Sequence, residues 1–173
     1  MIQRLDTFGG RQLHLRPPCR ADGPAMHKLV ADCPPLDLNS VYVYLLLTEH
    51  FSQTCIVAED GRGLLGMVSG YRPPGRPEVL FVWQVAVHPR ARGQGLGLRM
   101  LEQLLARRGP RPVRWVETTV GPGNQASRRL FGRLADRAAA AVKESALFEA
   151  PLFGLQAHEA EPLLRLGPFP CRQ

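Results

Sequence analysis

Apolar and polar positions along this chain change their period several times, and each change marks an element. Gln12-Leu13-His14-Leu15-Arg16 alternates, which predicts a strand ended by Pro17-Pro18. Between Arg20 and Ala31 the residues Met26, Leu29 and Val30 return at helical spacing. Cys33 to Ser40 holds consecutive prolines and must be a loop, with Ser40 placed to cap a second helix over Val41 to Phe51. Thr54–Ala58 and Leu64–Tyr71 flank Glu59-Asp60-Gly61-Arg62-Gly63 and read as a hairpin. A turn-rich connection, Arg72 to Pro77, leads into the long apolar run Val79–Val87, a fourth strand. Leu98, Leu101, Leu104 and Leu105 then form the stripe of a third helix. Arg107 and Arg108 suit the dipole at its end, and Gly109-Pro110 stops it.

Val113–Val120 alternates as a fifth strand, broken by Gly121-Pro122-Gly123, and Asn124 to Ala135 reads as a helix on Ala126, Leu130, Phe131 and Leu134. Toward the C-terminus Val142-Lys143 and Phe153 to Leu155 are candidate strands, and residues 1–11 read as a loose lead-in. No internal repeat is visible. This order suits an α/β (α+β) fold, with a mixed sheet and helices, built as a single domain over residues 1–173.

The chemistry gathers where the fourth strand meets the third helix. Val87-His88-Pro89-Arg90-Ala91-Arg92-Gly93-Gln94-Gly95-Leu96-Gly97 is a basic, glycine-rich turn. Glycines let the backbone approach a ligand, and the N–H groups at a helix start converge on an anion such as a pyrophosphate. Three phosphate loops compete. A P-loop needs Lys-Ser/Thr after its last glycine, but Leu98-Arg99 stand there. A dinucleotide fingerprint needs Gly-x-Gly-x-x-Gly after the first strand, whereas this pattern is Gly-x-Gly-x-Gly deep in the chain. The third, Arg/Gln-x-x-Gly-x-Gly/Ala, is met in full by Arg92 to Gly97. A strand-to-helix turn without a ligand is the plain alternative.

Composition narrows the classes. A chain of 173 residues that is 45% hydrophobic can bury a core and is not disordered. No apolar run reaches membrane-spanning length and no signal core opens the chain, so a cytoplasmic address is expected, with no membrane partner. Cysteines at 19, 33, 55 and 171 and the five histidines show no metal-ligand spacing, so no metal is expected. The formal charge of +7 raises nucleic acid as a partner, but the arginines are scattered, without a basic run or interleaved aromatics. No nucleic-acid partner is therefore expected; a solvated basic surface that attracts a polyanionic ligand is the milder reading.

The loop Arg92-Gly93-Gln94-Gly95-Leu96-Gly97, with Val85-Ala86-Val87-His88-Pro89 before it, resembles the acetyl-CoA loop of the GNAT superfamily of N-acetyltransferases. The resemblance implies a GNAT-type, mostly antiparallel sheet flanked by helices and splayed between the fourth and fifth strands. It implies that acetyl-CoA is the cosubstrate. Val85, Ala86 and Val87 would meet the acetyl-pantetheine arm through the main chain, and Arg92, Gly93, Gln94, Gly95, Leu96 and Gly97 would hold the pyrophosphate. Asn124, at a helix start, would meet the pantetheine, and a helix cap is an equal and compatible reading. Such enzymes often carry a Tyr seven residues after this Asn as acid for the thiolate. Phe131 stands there instead, so either another group protonates the thiolate or it leaves unaided.

Cys33-Pro34-Pro35-Leu36-Asp37-Leu38-Asn39-Ser40-Val41-Tyr42, Phe81-Val82-Trp83-Gln84, Glu117-Thr118-Thr119 and His158-Glu159-Ala160-Glu161 further resemble the diaminobutyrate acetyltransferase family of ectoine biosynthesis, from about Leu13 to Phe169. That implies acetyl transfer to the γ-amino group of L-2,4-diaminobutyrate, and a homodimer. Glu117, at the end of the fifth strand, is then the expected proton acceptor, directly or through water. Asp37 would bind an ammonium group, unless it only braces its loop. Asn39, Tyr42, Trp83, Thr118, His158 and Glu159 complete the expected acceptor site. The alternatives are a GNAT enzyme for another diamine, a polyamine or a protein N-terminus, and a non-catalytic CoA-binding module.

Overall fold

The computed structural model describes residues 6–8, 10–107, 109, 111–155 and 158–170. The chain forms two compact units, Met1–Tyr71 with Gln84–Ala106, and Arg72–Trp83 with Arg107–Gln173. One strand, β5 (Val79–Val87), supplies residues to both.

In the first unit the strands β1 (Asp6–Phe8), β2 (Arg11–Arg16), β3 (Ile56–Asp60) and β4 (Gly63–Tyr71) are hydrogen-bonded in that order, with β5 next. The pairs from β1 to β4 are antiparallel. Helices α1 (Gly23–Ala31) and α2 (Val41–His50) contribute Met26, Leu29, Val30, Tyr44 and Leu47 to a core shared with Val57, Met67 and Ala86. Helix α3 (Leu96–Leu105) contacts β3 and β4, and it approaches β4 so closely that a Cβ on Gly66 would lie 2.8 Å from the Met100 Cε. Ile56, Val57 and Ala58 are all buried, as is the run Leu65–Gly70. Successive side chains point to opposite faces, so a run buried without interruption has cover on both. That is why these strands read as apolar runs and not as alternating ones.

In the second unit the order is β5, β6 (Trp115–Thr119), β8 (Glu161–Gly167), β7 (Ala141–Phe148). β5 and β6 are parallel; the other two pairs are antiparallel. Helix α4 (Gln125–Arg137) buries Phe131, Leu134 and Ala135 and lies against β7 and β8. The parallel register runs from Val79↔Trp115 to Phe81↔Glu117 and stops there, although β6 continues to Thr119. The splay expected between these two strands begins at this point.

Four local expectations change. Asp6–Phe8, expected as part of a loose lead-in, pairs with Arg11–Leu13 through a turn whose Gly10 has φ +76°. Ser40 precedes α2 but makes no side-chain cap; its carbonyl accepts from Val43 N at 3.0 Å. α3 starts at Leu96, not Leu98, because Gly95 at φ +76° already ends the loop. Phe153 to Leu155 is not a strand: Ala150–Phe153 is a 3-10 turn and Gly154 sits at φ +66°. The strand lies later, as β8, whose Pro162 and Arg165 broke its apolar pattern. Arg108 lies outside the described residues, as does Cys171; Cys19, Cys33 and Cys55 form no disulfide among the described residues.

A two-carboxylate clamp ties the first unit's β2 and β3 to the start of α1. Arg16 donates to both Asp22 oxygens, at 2.7 and 2.9 Å, and to both Glu59 oxygens, at 2.7 and 3.0 Å. The Arg16 guanidinium holds the Asp22 carboxyl below its ordinary value. A depressed folded-state value contributes stability that is present above the unfolded value, near pH 4, and lost as pH falls through the folded one. Asp22→Asn should therefore cost about 1–3 kcal/mol at pH 7 and progressively less as pH falls through the folded-state value, read from urea unfolding across pH. An acid slope identical in both proteins would remove Asp22 from this role.

Candidate active site

The glycine turn is anchored before it opens. His88 N donates to Leu65 O at 2.8 Å, fixing the end of β5. Arg90 pairs with Asp60 at 2.8 and 3.1 Å, and Gln94 Nε2 donates to Arg90 O at 3.3 Å. Gly93 and Gly95 then take φ +74° and +76°. A Cβ on either would meet nothing within 4 Å, so these glycines are required by backbone conformation, not by crowding. Gly95 is the N-cap of α3 and offers no side chain to the helix's first N–H groups. Those donors and the helix dipole form an anion-binding end.

The expected cofactor residues divide by what they can offer. Arg92, Gly93, Gln94 and Gly95 are exposed. The Leu96 side chain is buried at 1% exposure, so Leu96 and Gly97 can serve a ligand only through backbone N–H. Ala86 is wholly buried and belongs to the core, which leaves its main chain alone for a ligand. The Val87 carbonyl already accepts from Cys33 Sγ at 3.3 Å and Arg92 Nε at 3.1 Å. Arg92 is thus folded back onto the strand end.

The loop before α2 is held by a residue whose part the sequence reading missed. Gln84, only 6% exposed, donates from Nε2 to the Asp37 carbonyl at 2.7 Å. Its Oε1 accepts from the Tyr44 hydroxyl at 3.3 Å, and its backbone N–H donates to Ser69 Oγ at 3.2 Å. A lone amide in the apolar run Val79–Val87 was the available signal, because a buried amide must find partners. This leaves Asp37 on the exposed loop, with Asn39 half-buried and Tyr42 exposed in the first turn of α2.

In the second unit Glu117 is 2% exposed, and one nitrogen of Arg76, Nη1, donates to both its oxygens at 2.9 Å. Arg165 Nη1 lies 3.6 Å from Glu117 Oε1, with its guanidinium 4.2 Å above the Trp115 ring. Neither arginine was expected. The signals were a cation in the Pro-Pro-Gly-Arg turn and another in the strand Leu163-Leu164-Arg165-Leu166. Thr118 faces away from Glu117. Strand alternation turns its side chain to the face opposite Glu117, where it is 3% exposed in register with Leu164. Its hydroxyl cannot join Glu117 from there. Trp83 is 44% exposed.

His158 stacks on Phe153 with ring centroids 3.9 Å apart, and its Nδ1 lies 2.7 Å from Glu159 O. The Glu159 carboxylate accepts from Gly123 N at 3.4 Å, beside the start of α4. There Asn124 Oδ1 accepts from Ser127 N at 3.0 Å, the helix cap, and its amide nitrogen remains as a donor. Phe131 is core, at 2% exposure. Among the described residues no three His, Cys, Asp or Glu side chains gather to hold a metal ion, and no helix is long and apolar enough to cross a membrane.

A profile of the acetyltransferase (GNAT) family matches residues 23–135. The chain belongs to the GNAT family. Within that family, an L-2,4-diaminobutyric acid acetyltransferase of Bordetella parapertussis is 59% identical over 90% of this chain and 84% of its own length. One from Halomonas elongata is 44% identical over 93% of this chain and 84% of its own. A solved diaminobutyrate acetyltransferase, EctA from Paenibacillus lautus in complex with L-2,4-diaminobutyric acid and coenzyme A, superposes with a TM-score of 0.89 at 40% identity, covering 95% of this chain and 99% of that one. The ribosomal-protein-S18-alanine N-acetyltransferase of Escherichia coli, at 15% identity and a TM-score of 0.67, shares the fold alone.

For a GNAT chain the left-handed glycines gain a direct test. Gly95→Ala places a Cβ at φ +76°, which costs roughly 1–2 kcal/mol of backbone strain. CoA affinity measured by titration calorimetry should fall about tenfold, with unfolding still cooperative. Unchanged affinity would show that the turn does not hold the cofactor's phosphates.

Proposed function

We propose that this chain is an L-2,4-diaminobutyrate N4-acetyltransferase, moving acetyl from acetyl-CoA to the γ-amino group as a step of ectoine biosynthesis. The observation that carries the reading is the near-complete superposition on an enzyme solved with L-2,4-diaminobutyric acid and coenzyme A. The whole chain acts as one acetyltransferase domain; the family match and β5 both run through the two compact units. The enzyme works in the cytoplasm, under osmotic stress, as a homodimer. In support of the dimer, every residue of the edge strand β7 is exposed, with Val142, Leu147 and Phe148 between 42% and 49%.

In this reading Arg92 to Gly97 hold the pyrophosphate, chiefly through backbone N–H groups. The main chain of Val85 to Val87 and the Asn124 amide meet the pantetheine arm. Asp37 binds an ammonium of the acceptor. Asn39, Tyr42, Trp83, His158 and Glu159 shape the acceptor site, and Thr118 contributes only through its backbone. The γ-ammonium gives a proton to Glu117, directly or through water, and the freed amine attacks the thioester carbonyl. A C–N bond forms and the C–S bond breaks as the thiolate leaves, and the second proton, still on the attacking nitrogen, passes to water. Phe131 cannot protonate it, and a thiolate's modest basicity lets it depart as the anion.

The reading is tested by CoA release with diaminobutyrate, ornithine, lysine, putrescine and a peptide. Diaminobutyrate should lead; preference for another acceptor overturns the substrate assignment. Glu117→Gln should lower kcat by about 10²–10⁴-fold with little change in CoA affinity, and near-normal turnover would remove Glu117 as base. Asp37→Asn should raise the KM for diaminobutyrate about tenfold and leave that for acetyl-CoA unchanged. An unaltered acceptor KM would return Asp37 to a bracing role in its loop.

A further inference from the structure

We propose that Arg76 is the receptor for the acceptor's carboxylate, so that the Arg76–Glu117 ion pair reads a substrate's anion and cation together. The inference rests on the diaminobutyrate reading above and deepens it at the same site. Four observations carry it. The first is how the guanidinium is used. A guanidinium matches a carboxylate best with two nitrogens on two oxygens. Here Nη1 alone takes both Glu117 oxygens, each at 2.9 Å. Among the described residues Nη2 and Nε of Arg76 bond no acceptor, and the side chain is 48% exposed. Its better edge is therefore left for something that arrives from solvent.

The second observation is the surplus of donors. Arg76 and Arg165 both face the single carboxylate of Glu117, so the cluster carries one net positive charge. Arg165 Nε is buried and, among the described residues, has no hydrogen-bond partner. Two guanidiniums around one carboxylate lack an acceptor, and an anion supplies it. The third is preorganisation. Arg76 ends a tight turn, Pro73-Pro74-Gly75-Arg76, closed by Arg76 N to Pro73 O at 3.0 Å with Gly75 at φ +76°. A second turn follows at once, Val79 N to Arg76 O at 3.0 Å. The residue's backbone is thus fixed between a proline turn and a strand, which lowers the cost of holding a ligand.

The fourth is the surroundings. Phe81 is the register partner of Glu117, and Trp83 follows on the same face of β5, half-exposed. Aromatic side chains beside a charge pair exclude water and strengthen its interactions. Because Nη1 bridges both Glu117 oxygens, one oxygen can turn to an ammonium while the other stays on Arg76. The pair then binds a molecule with a carboxylate for Arg76 and an ammonium for Glu117. A diamino acid has both; a diamine or polyamine lacks the first.

The experiment compares L-2,4-diaminobutyrate with its carboxamide, 2,4-diaminobutyramide, which keeps both amines and removes the charge. In the unaltered protein kcat/KM should favour the acid by about 10- to 100-fold, the range of a charge-assisted pair. Arg76→Lys keeps a cation on Glu117 but has no second edge. It should lose most of that preference, the KM of the acid rising about tenfold more than that of the amide. Arg76→Met is the second variant, with CoA affinity and thermal unfolding followed in both to show that the fold is kept. If amide turnover is too slow to measure, dissociation constants on CoA-loaded protein give the same ratio. A ratio near one in the unaltered protein, or equal losses for acid and amide in Arg76→Lys, overturns the assignment and leaves Arg76 as a prop for Glu117. If the unaltered protein does not prefer diaminobutyrate among the acceptors tested above, the proposed function fails first and the role of Arg76 falls with it.

Discussion

The one-sided burial of β5 is the constraint on which the rest of the structure depends. Leu80, Val82, Gln84 and Ala86 are buried, while Phe81, Trp83, Val85 and Val87 keep some exposure. A strand's side-chain period is two, so a slip of one residue would expose this entire set and bury Trp83. With the register set, the Gln84 amide lies under the Asp37 loop, Phe81 pairs with Glu117, and the strand ends where the glycine turn begins. Each unit takes partners from this one strand, the first through Gln84 and the second through Phe81.

The two units hold their polar groups in different ways. In the first, left-handed glycines and the start of α3 leave N–H groups whose direction is set by main-chain conformation. In the second, side-chain charge is buried and paired. A carboxylate as deeply buried as Glu117 is stable only when paired, and the cations that pair it shape what it can do next. Glu117 is a member of an Arg–Glu–Arg cluster, not an isolated base. Any substrate that uses it must replace part of what Arg76 supplies.

Much was legible from sequence where the cause is local. The glycine turn, the long central strand, the hairpin after α2 and the apolar stripes of α3 and α4 depend on neighbours within a few residues, and period and glycine conformation report them directly. Glu117 and Asp37 stood out as carboxylates in the fifth strand and in a proline loop, although Glu117 lies at the centre of β6 and not at its end. The resemblance that named Thr118 beside Glu117 carried no side-chain direction, and neighbouring strand residues face opposite ways. β8 was missed because its Pro162 and Arg165 break the apolar pattern, and its pairing with β6 and β7 holds it in place regardless.

What the sequence by itself determined was the set of short-range devices: which segments form helices and strands, where the backbone must turn left-handed, and which loop can cradle a phosphate. These follow from steric limits and side-chain period, which act over a few bonds. What only the tertiary structure decided was the company each charge keeps. Arg76 and Arg165 lie 41 and 48 residues from Glu117 along the chain, and Gln84 lies 47 from Asp37. No local pattern encodes such pairings. They arise because burying a polar group without a partner is costly, and the fold selects the partners that its topology brings within reach.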